Sequence, residues 1–378
     1  MKKLMSEIKD DAKNKKIKNI YIANLLNVNR SQITHYYNGT NQMSFLNFLE
    51  LLDIVYSNEQ EKREKILRFC KCDSRPESIR ECFEWCSHNG NEELMDFLFE
   101  IHEKSEKIEK KLIDMYSLLR KRNKKLVTSE EYYDQVDEIK LRGTNHIETS
   151  ILIKIITLYA YFDFNSYDLV LNVSKSIHEQ IRQLSNGYLK EAFRLRLAEI
   201  IIISKMRKNE LTFVESFINN ELNEINYEKF PIVYITMLCV MSEIKAFSDY
   251  QCSMKYINLA MEALKKLKLS AIYLRKKSII ESTSDFINIT NNKFDGLYLT
   301  DKSERAHYYA KLDEDSKKKS VILLNEIEAE RGFLSTFQMY YKSLALNDKD
   351  LFNSAIVQFI KNGNLFYANN LSDHLIEF

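Results

Sequence analysis

Residues 19–40 read NIYIANLLNVNRSQITHYYNGT, and this stretch decides how the N-terminal part of the chain folds. Ile22, Ala23 and Leu26 recur at the spacing of one helix face, Val28 follows in a turn, and Ile33 and Tyr36 mark a second face. Two short helices crossing steeply leave room for only a small side chain at their closest point, and Ala23 supplies it. Four residues on, such a hairpin needs a left-handed backbone; Asn27 stands there, the residue that best tolerates that conformation after glycine. The second helix then offers Arg30, Ser31, Gln32, Thr34 and His35 to solvent, with Asn29 expected as its N-cap. Side chains of that length and polarity reach base edges in a major groove, so the pattern is that of a helix-turn-helix DNA reader.

Upstream, Leu4, Met5 and Ile8 predict a preceding helix. Lys13, Lys15, Lys16 and Lys18 lie at the entry to the motif, where phosphates would flank the groove. Downstream, Gly39 suits a helix C-terminus. Phe45, Phe48, Leu49, Leu52 and Val55 then give a further helix the apolar side that closes a small domain. Residues 1–40 hold eight Lys/Arg against three Asp/Glu, a local +5 in a chain whose formal net charge is +1. A basic head on a body of near-neutral charge suits a protein that meets phosphates at one end only.

The chain has 378 residues, too many for one compact helical core, but only 2 prolines and 7 glycines, which disfavours folds built on glycine-rich turns. Helices are expected to come in pairs from Pro76 onward. From residue 145 they become quasi-periodic, with hairpins starting near Asn145, Gly187, Tyr227 and Ser270. The 40–43-residue spacing resembles degenerate tetratricopeptide-like repeats. Residues 291–304 break the rhythm as a loop, and hairpins resume to the end. The fold class expected is all-α: an N-terminal helix-turn-helix domain (1–60), a helical linker with first degenerate repeats (61–144), and a right-handed superhelix of tetratricopeptide-like hairpins (145–378). The last segment ends on apolar Leu371, Leu375, Ile376 and Phe378. A solenoid end of that character suggests burial against a second copy, so these residues are the expected dimer contact.

Catalytic signatures are missing: there is no phosphate-cradling glycine loop, nucleophile elbow or metal-binding histidine pair, and the 7 histidines are scattered. The expectation is a protein that is not an enzyme and needs no cofactor. Cys70, Cys72, Cys82 and Cys86 lack zinc-knuckle spacing and supporting histidines; no metal site is assigned, and reduced thiols are expected. The most apolar run, residues 151–164, is interrupted by Lys154 and reads as a core helix rather than a membrane span. With no signal peptide visible, the protein is expected in the cytoplasm.

Two later segments are informative. Residues 303–328, SERAHYYAKLDEDSKKKSVILLNEIE, and 346–371, LNDKDLFNSAIVQFIKNGNLFYANNL, resemble the arbitrium receptor (AimR) family of temperate phages. That family lies within the helix-turn-helix plus tetratricopeptide-repeat regulators that respond to peptides. The resemblance implies a homodimer that binds a double-stranded DNA operator in the bacterial host and activates transcription favouring lysis. It further implies that a secreted, re-imported peptide of about six residues enters the repeat groove as an extended chain, ends activation and favours lysogeny. Relatives hold a peptide arginine with an acid in the last repeats. The matching position here is Asn364, which cannot form that ion pair, and Glu243 is a candidate to compensate. Ser303 and Arg207 fall near other groove-facing positions. Our own reading adds Arg196, a cation in an otherwise apolar helix, for a peptide carboxylate. It also adds the amides Asn288, Asn291, Asn292 and Asn364 for peptide backbone groups. The runner-up reading is a helical-repeat adaptor or inhibitor of a protein partner under peptide control. The lysine run and the polar reader helix favour DNA.

Overall fold

A computed structural model of the chain describes residues 1–72, 75–103, 110–144, 146–225, 229–267 and 271–373. Among the described residues the elements are helices, with no strand. The chain divides into two compact units: residues 1–153 with 184–192, and residues 154–183 with 193–378.

The first unit opens with α1 (Lys2–Asn14), α2 (Asn19–Leu25), α3 (Arg30–Asn38) and α4 (Phe45–Val55). Leu4, Met5, Ile8 and Ala12 lie one turn apart along α1 and are buried. Ile22 and Ala23 of α2 meet Ile33, Tyr36 and Tyr37 of α3, all at most 5% exposed. Between those helices Asn27 has φ 50°, the left-handed turn the spacing requires. Gly39 ends α3 at φ 70°, where a Cβ would also come 3.1 Å from Lys2 Cβ. Both the backbone and the close approach of α1 call for glycine there. The Ser44 hydroxyl caps α4 by accepting from the Asn47 amide at 3.2 Å. Leu51 is buried on this helix while Leu49 is only half-buried, because the face turns with the 3.6-residue period.

The helix that follows, α5 (Glu59–Cys72), is more than a link. Its Phe69 stacks on Phe48 at 4.2 Å between centroids and lies 5.7 Å from Phe45, inside the same core. Burying side chains of that size contributes about 1.5–3 kcal/mol each. Next come α6 (Pro76–Asn89), α7 (Glu92–His102), α8 (Lys110–Asn123) and α9 (Ser129–Leu141). Phe83 of α6 stacks on Tyr116 of α8 at 5.3 Å. The Tyr116 hydroxyl donates to Glu84 at 2.7 Å, which satisfies a carboxylate with no exposed surface. Cys70 and Cys82 sulfurs lie 3.5 Å apart as buried free thiols. Burial pushes the Cys82 and Cys86 thiols up, so both stay protonated.

The repeats follow as α10 (Ile147–Asp163), α11 (Tyr167–Gln183), α12 (Tyr188–Arg207), α13 (Leu211–Glu224), α14 (Pro231–Lys245), α15 (Tyr250–Lys265) and α16 (Ala271–Thr290). The even-numbered helices start at Ile147, Tyr188, Pro231 and Ala271, each within a few residues of an expected hairpin start. Asn145, Tyr227 and Ser270 themselves lie outside the described residues. In the second unit α14 and α15 pack closely because small residues meet: Ser242 and Ser253 are fully buried, and the Ser253 hydroxyl donates to the Ser242 carbonyl at 2.8 Å. The chain ends with α17 (Lys302–Ala310), α18 (Glu314–Arg331), α19 (Thr336–Leu346), α20 (Lys349–Lys361) and α21 (Leu365–Ser372). Phe286, Phe337, Phe359 and Tyr367 pack edge-on here, with Phe337 and Tyr367 at 4.7 Å. Asp285, buried in α16, pins the loop that follows α16 by accepting from the Tyr298 and Leu299 amides at 2.8 and 2.7 Å.

Candidate nucleic-acid interface and ligand site

On α3 the apolar side is turned inward, so geometry leaves one polar side free. Asn29, Arg30, Ser31, Thr34 and His35 are exposed and Gln32 is half-buried. Asn29 occupies the N-cap position but makes no side-chain capping bond, which leaves its amide available. Gln32 Nε2 donates to the Tyr36 hydroxyl at 2.7 Å, and His35 Nδ1 lies 3.1 Å from Thr40 Oγ1. A recess of about 490 Å³ at the turn is lined by Ala23, Asn24, Asn27, Val28, Asn29 and Gln32. Asn24 joins this surface although no spacing rule singled it out.

The four lysines are not equivalent. All four are exposed, and Lys13, Lys16 and Lys18 stand free beside the motif. Lys15 instead donates its ammonium to the Val55 carbonyl at 2.8 Å and sits 4.8 Å above the Tyr56 ring. It ties the end of α1 to the end of α4, so its charge already serves the fold.

In the second unit a polar cluster forms from residues far apart in sequence. Arg207, at the end of α12, lies 5.0 Å from the Tyr367 ring centroid, and the Tyr367 hydroxyl donates to Glu243 at 2.7 Å. Burial first, then the Glu243 charge, drives the Tyr367 hydroxyl well above the ordinary phenol range, so it remains a donor. Gly363, at φ 65°, brings the α20–α21 turn against Tyr167; a Cβ there would meet that ring at 3.1 Å. Three buried polar atoms on residues of this cluster or close to them in sequence have no protein partner: Arg207 Nη1, Asn209 Oδ1 and Asn364 Oδ1. Asn364 lies one turn before Tyr367, and Asn209 two residues after Arg207. Orphaned buried donors and acceptors cost about 1–3 kcal/mol each, so their concentration marks a place fit for a polar ligand.

The other expected ligand residues are placed differently. Arg196 is buried in α12. Asn288 is committed internally: it accepts from the Tyr250 hydroxyl at 2.8 Å and donates to Ser284 at 3.4 Å. Asn291 donates to the Ala246 and Ile287 carbonyls, and Asn292 forms a left-handed turn. The Ser303 hydroxyl accepts from Gln338 at 2.8 Å. The structure thus brings together Arg207 and Glu243, places Asn364 next to the Gly363 turn that meets Tyr167, and adds Tyr367 and Tyr167, which the sequence reading missed. Leu371 is fully buried within its own unit, while Leu375, Ile376 and Phe378 lie outside the described residues. No helix among the described residues is long and apolar enough to cross a membrane, and no group of three or more His, Cys, Asp or Glu is arranged to hold a metal.

A helix-turn-helix head joined to a helical-hairpin body with a polar internal cluster defines a class of regulator rather than an enzyme. The family model for AimR transcriptional regulator-like proteins matches residues 62–371, and the chain belongs to that family. It is 20% identical over 334 residues to the AimR transcriptional regulator of Bacillus phage SPbeta, covering 85% of this chain and 83% of that one. An uncharacterized Bacillus anthracis protein is 23% identical over 239 residues, 62% of this chain and 87% of its own. Among solved structures, "Structure of phAimR-Ligand" superposes with a TM-score of 0.74 at 18% identity, covering 89% of this chain and 98% of that one. "Structure of SeMet-phAimR" gives 0.66 at 18% identity, covering 97% and 94%.

Proposed function

We propose that this regulator binds an operator through α3 and is controlled by a short peptide held at the Arg207–Tyr367–Glu243 cluster. The observation that carries the reading is the Arg207–Tyr367–Glu243 cluster, with orphaned polar atoms on Arg207 itself, on Asn209 two residues on, and on Asn364 one turn before Tyr367. A peptide carries carboxylate oxygens suited to the guanidinium and amide N–H groups suited to Oδ1 acceptors, so an extended chain offers partners of both kinds. The solved relative named "phAimR-Ligand" supports a ligand in this fold. Peptide binding is proposed to end transcriptional activation by a homodimer, in a lysis–lysogeny decision of a phage within a bacterial cytoplasm. A ligand shifts such a switch only if it prefers one arrangement of the DNA-reading heads. The test is operator titration with and without the peptide encoded by the short reading frame expected next to this gene. Tight peptide binding with lowered operator affinity or altered head spacing is the expected result. Peptide binding that leaves DNA binding and transcription unchanged would refute the switch.

A further inference from the structure

We infer that the ligand wall holds a second cation, Lys276, which receives a carboxylate of the peptide about three residues along from the group bound at Arg207. The inference rests on the peptide reading above and adds the chemistry that the peptide must carry.

The wall is one face of α14. Thr236 and Glu243 are half-buried on a helix whose other positions are mostly buried. They stand seven residues apart, a spacing that returns a helix to nearly the same side. At one end of this face the Tyr367 hydroxyl donates to Glu243 at 2.7 Å, and Arg207 lies over the Tyr367 ring. An anion and a cation thus flank the same tyrosine and offset each other. At the other end Lys276 reaches across from α16 and donates its ammonium to the Thr236 hydroxyl at 2.6 Å. Cys239 stands between the two ends. Burial pushes its thiol up to about 12, with Lys276 and Glu243 as the charges acting on it, so the middle of the face is uncharged.

Lys276 differs from Arg207 in having no acid to answer it. Among the described residues it makes no ion pair, and Thr236 is its one hydrogen-bond partner. Tyr273, Ile279 and Ile280, a turn away on its own helix, carry no charge. Its neighbour Lys277, by contrast, pairs with Glu281 at 3.6 Å. An ammonium has three donors, so a half-buried Lys276 bonded to one hydroxyl keeps the others for a ligand. Lys276 and Arg207 against Glu243 leave the face with a net positive charge, which a carboxylate at Lys276 neutralises and a peptide cation there would oppose. The span from Thr236 to Glu243 is about 10.5 Å of helix, which an extended peptide covers in about three residues. A peptide supplies carboxylates from its C-terminus and from acidic side chains; one of each at that spacing suits the two cations.

The test first pans the full chain against short random peptides with free C-termini and sequences the retained fraction. Aspartate or glutamate should be enriched over asparagine and glutamine at one position near the C-terminus. The enriched sequence is then made with an acidic or an amide side chain there, and with a free or an amidated C-terminus. Calorimetry of these peptides with wild type and with Lys276→Gln closes a double-mutant cycle. Converting one of the carboxylates to its amide should cost wild type about tenfold in affinity and the variant almost nothing, as expected of one charge-assisted hydrogen bond. If that group is the side chain, Lys276 reads an acidic residue; if it is the C-terminus, Lys276 anchors the chain end. Either result upholds the inference. A pool without acidic enrichment overturns it, and so does a cycle in which each conversion costs both proteins equally. In those cases the peptide reading still stands, because peptide is bound. If wild type retains no peptide, that reading falls together with this one.

Discussion

At the scale of single residues, neighbours of one type have separated roles. Lys15 and Lys16 are adjacent, look alike in the sequence and are both exposed, yet Lys15 is bonded to the Val55 carbonyl and lies over Tyr56, while Lys16 sits at φ 58° in the turn after α1. Lys15→Ala should therefore destabilise the protein by about 1–2 kcal/mol, the sum of a hydrogen bond and a partly covered cation–π contact. Lys16→Ala should leave stability nearly unchanged. It should instead weaken binding to all DNA sequences alike and lower the salt slope of log K by roughly 0.9. Urea unfolding and filter binding across a salt series check the pair. If both variants weaken DNA binding equally without loss of stability, the structural role of Lys15 is wrong.

Between elements, α17 and α19 are joined by a buried titratable network. The Tyr341 hydroxyl donates to Glu304 at 2.8 Å, His307 Nδ1 lies 3.2 Å from the same carboxyl, and the His307 ring stacks on Tyr341 at 4.1 Å. Burial pushes the Glu304 carboxyl up to about 8 from 4.5 and drives His307 well below 6.5. At neutral pH the folded state holds a protonated Glu304 and an uncharged His307. Glu304's contribution is full below pH 4.5 and is lost as pH rises through about 8. His307's contribution is full above pH 6.5 and is lost on acidification. The two slopes oppose each other below pH 6.5 and leave Glu304 alone from there to about 8. In that window stability should fall by about 1 kcal/mol per pH unit, the linkage for one proton. Glu304→Gln should flatten it. Urea melts across the window decide, and a wild-type stability that stays level would show that Glu304 is ionised in the fold.

For the whole molecule, the reader helix belongs to one unit and the Arg207 cluster to the other. Two functions built on separate cores should be separable by mutation. Arg207→Gln should cut peptide affinity at least tenfold, about 1.4 kcal/mol, while operator affinity without peptide stays at the wild-type level. Arg30→Ala should do the reverse, with a loss of about 1–3 kcal/mol in operator binding and intact peptide binding. Calorimetry with the peptide and operator titration of both variants test this. Loss of operator affinity in Arg207→Gln without peptide would mean that the cluster maintains the DNA-binding state rather than receiving a ligand.

The sequence alone determined the class of fold, the helix-turn-helix and the start of each repeat. Those features rest on local periodicity, on residues such as Ala23, Asn27 and Gly39 at positions with one steric solution, and on the scarcity of proline and glycine. It also carried the family, through segments whose residues lie together in the chain. Which groups meet at the ligand cluster was decided only by tertiary structure, because Glu243 and Tyr367 are 124 residues apart and no periodicity links them. The same holds for the amides: Asn288 and Asn291 looked equivalent to Asn364, but packing committed the first two to neighbours and left Asn364 Oδ1 bare. Composition tells how many donors and acceptors a chain has; only packing settles which of them remain unsatisfied.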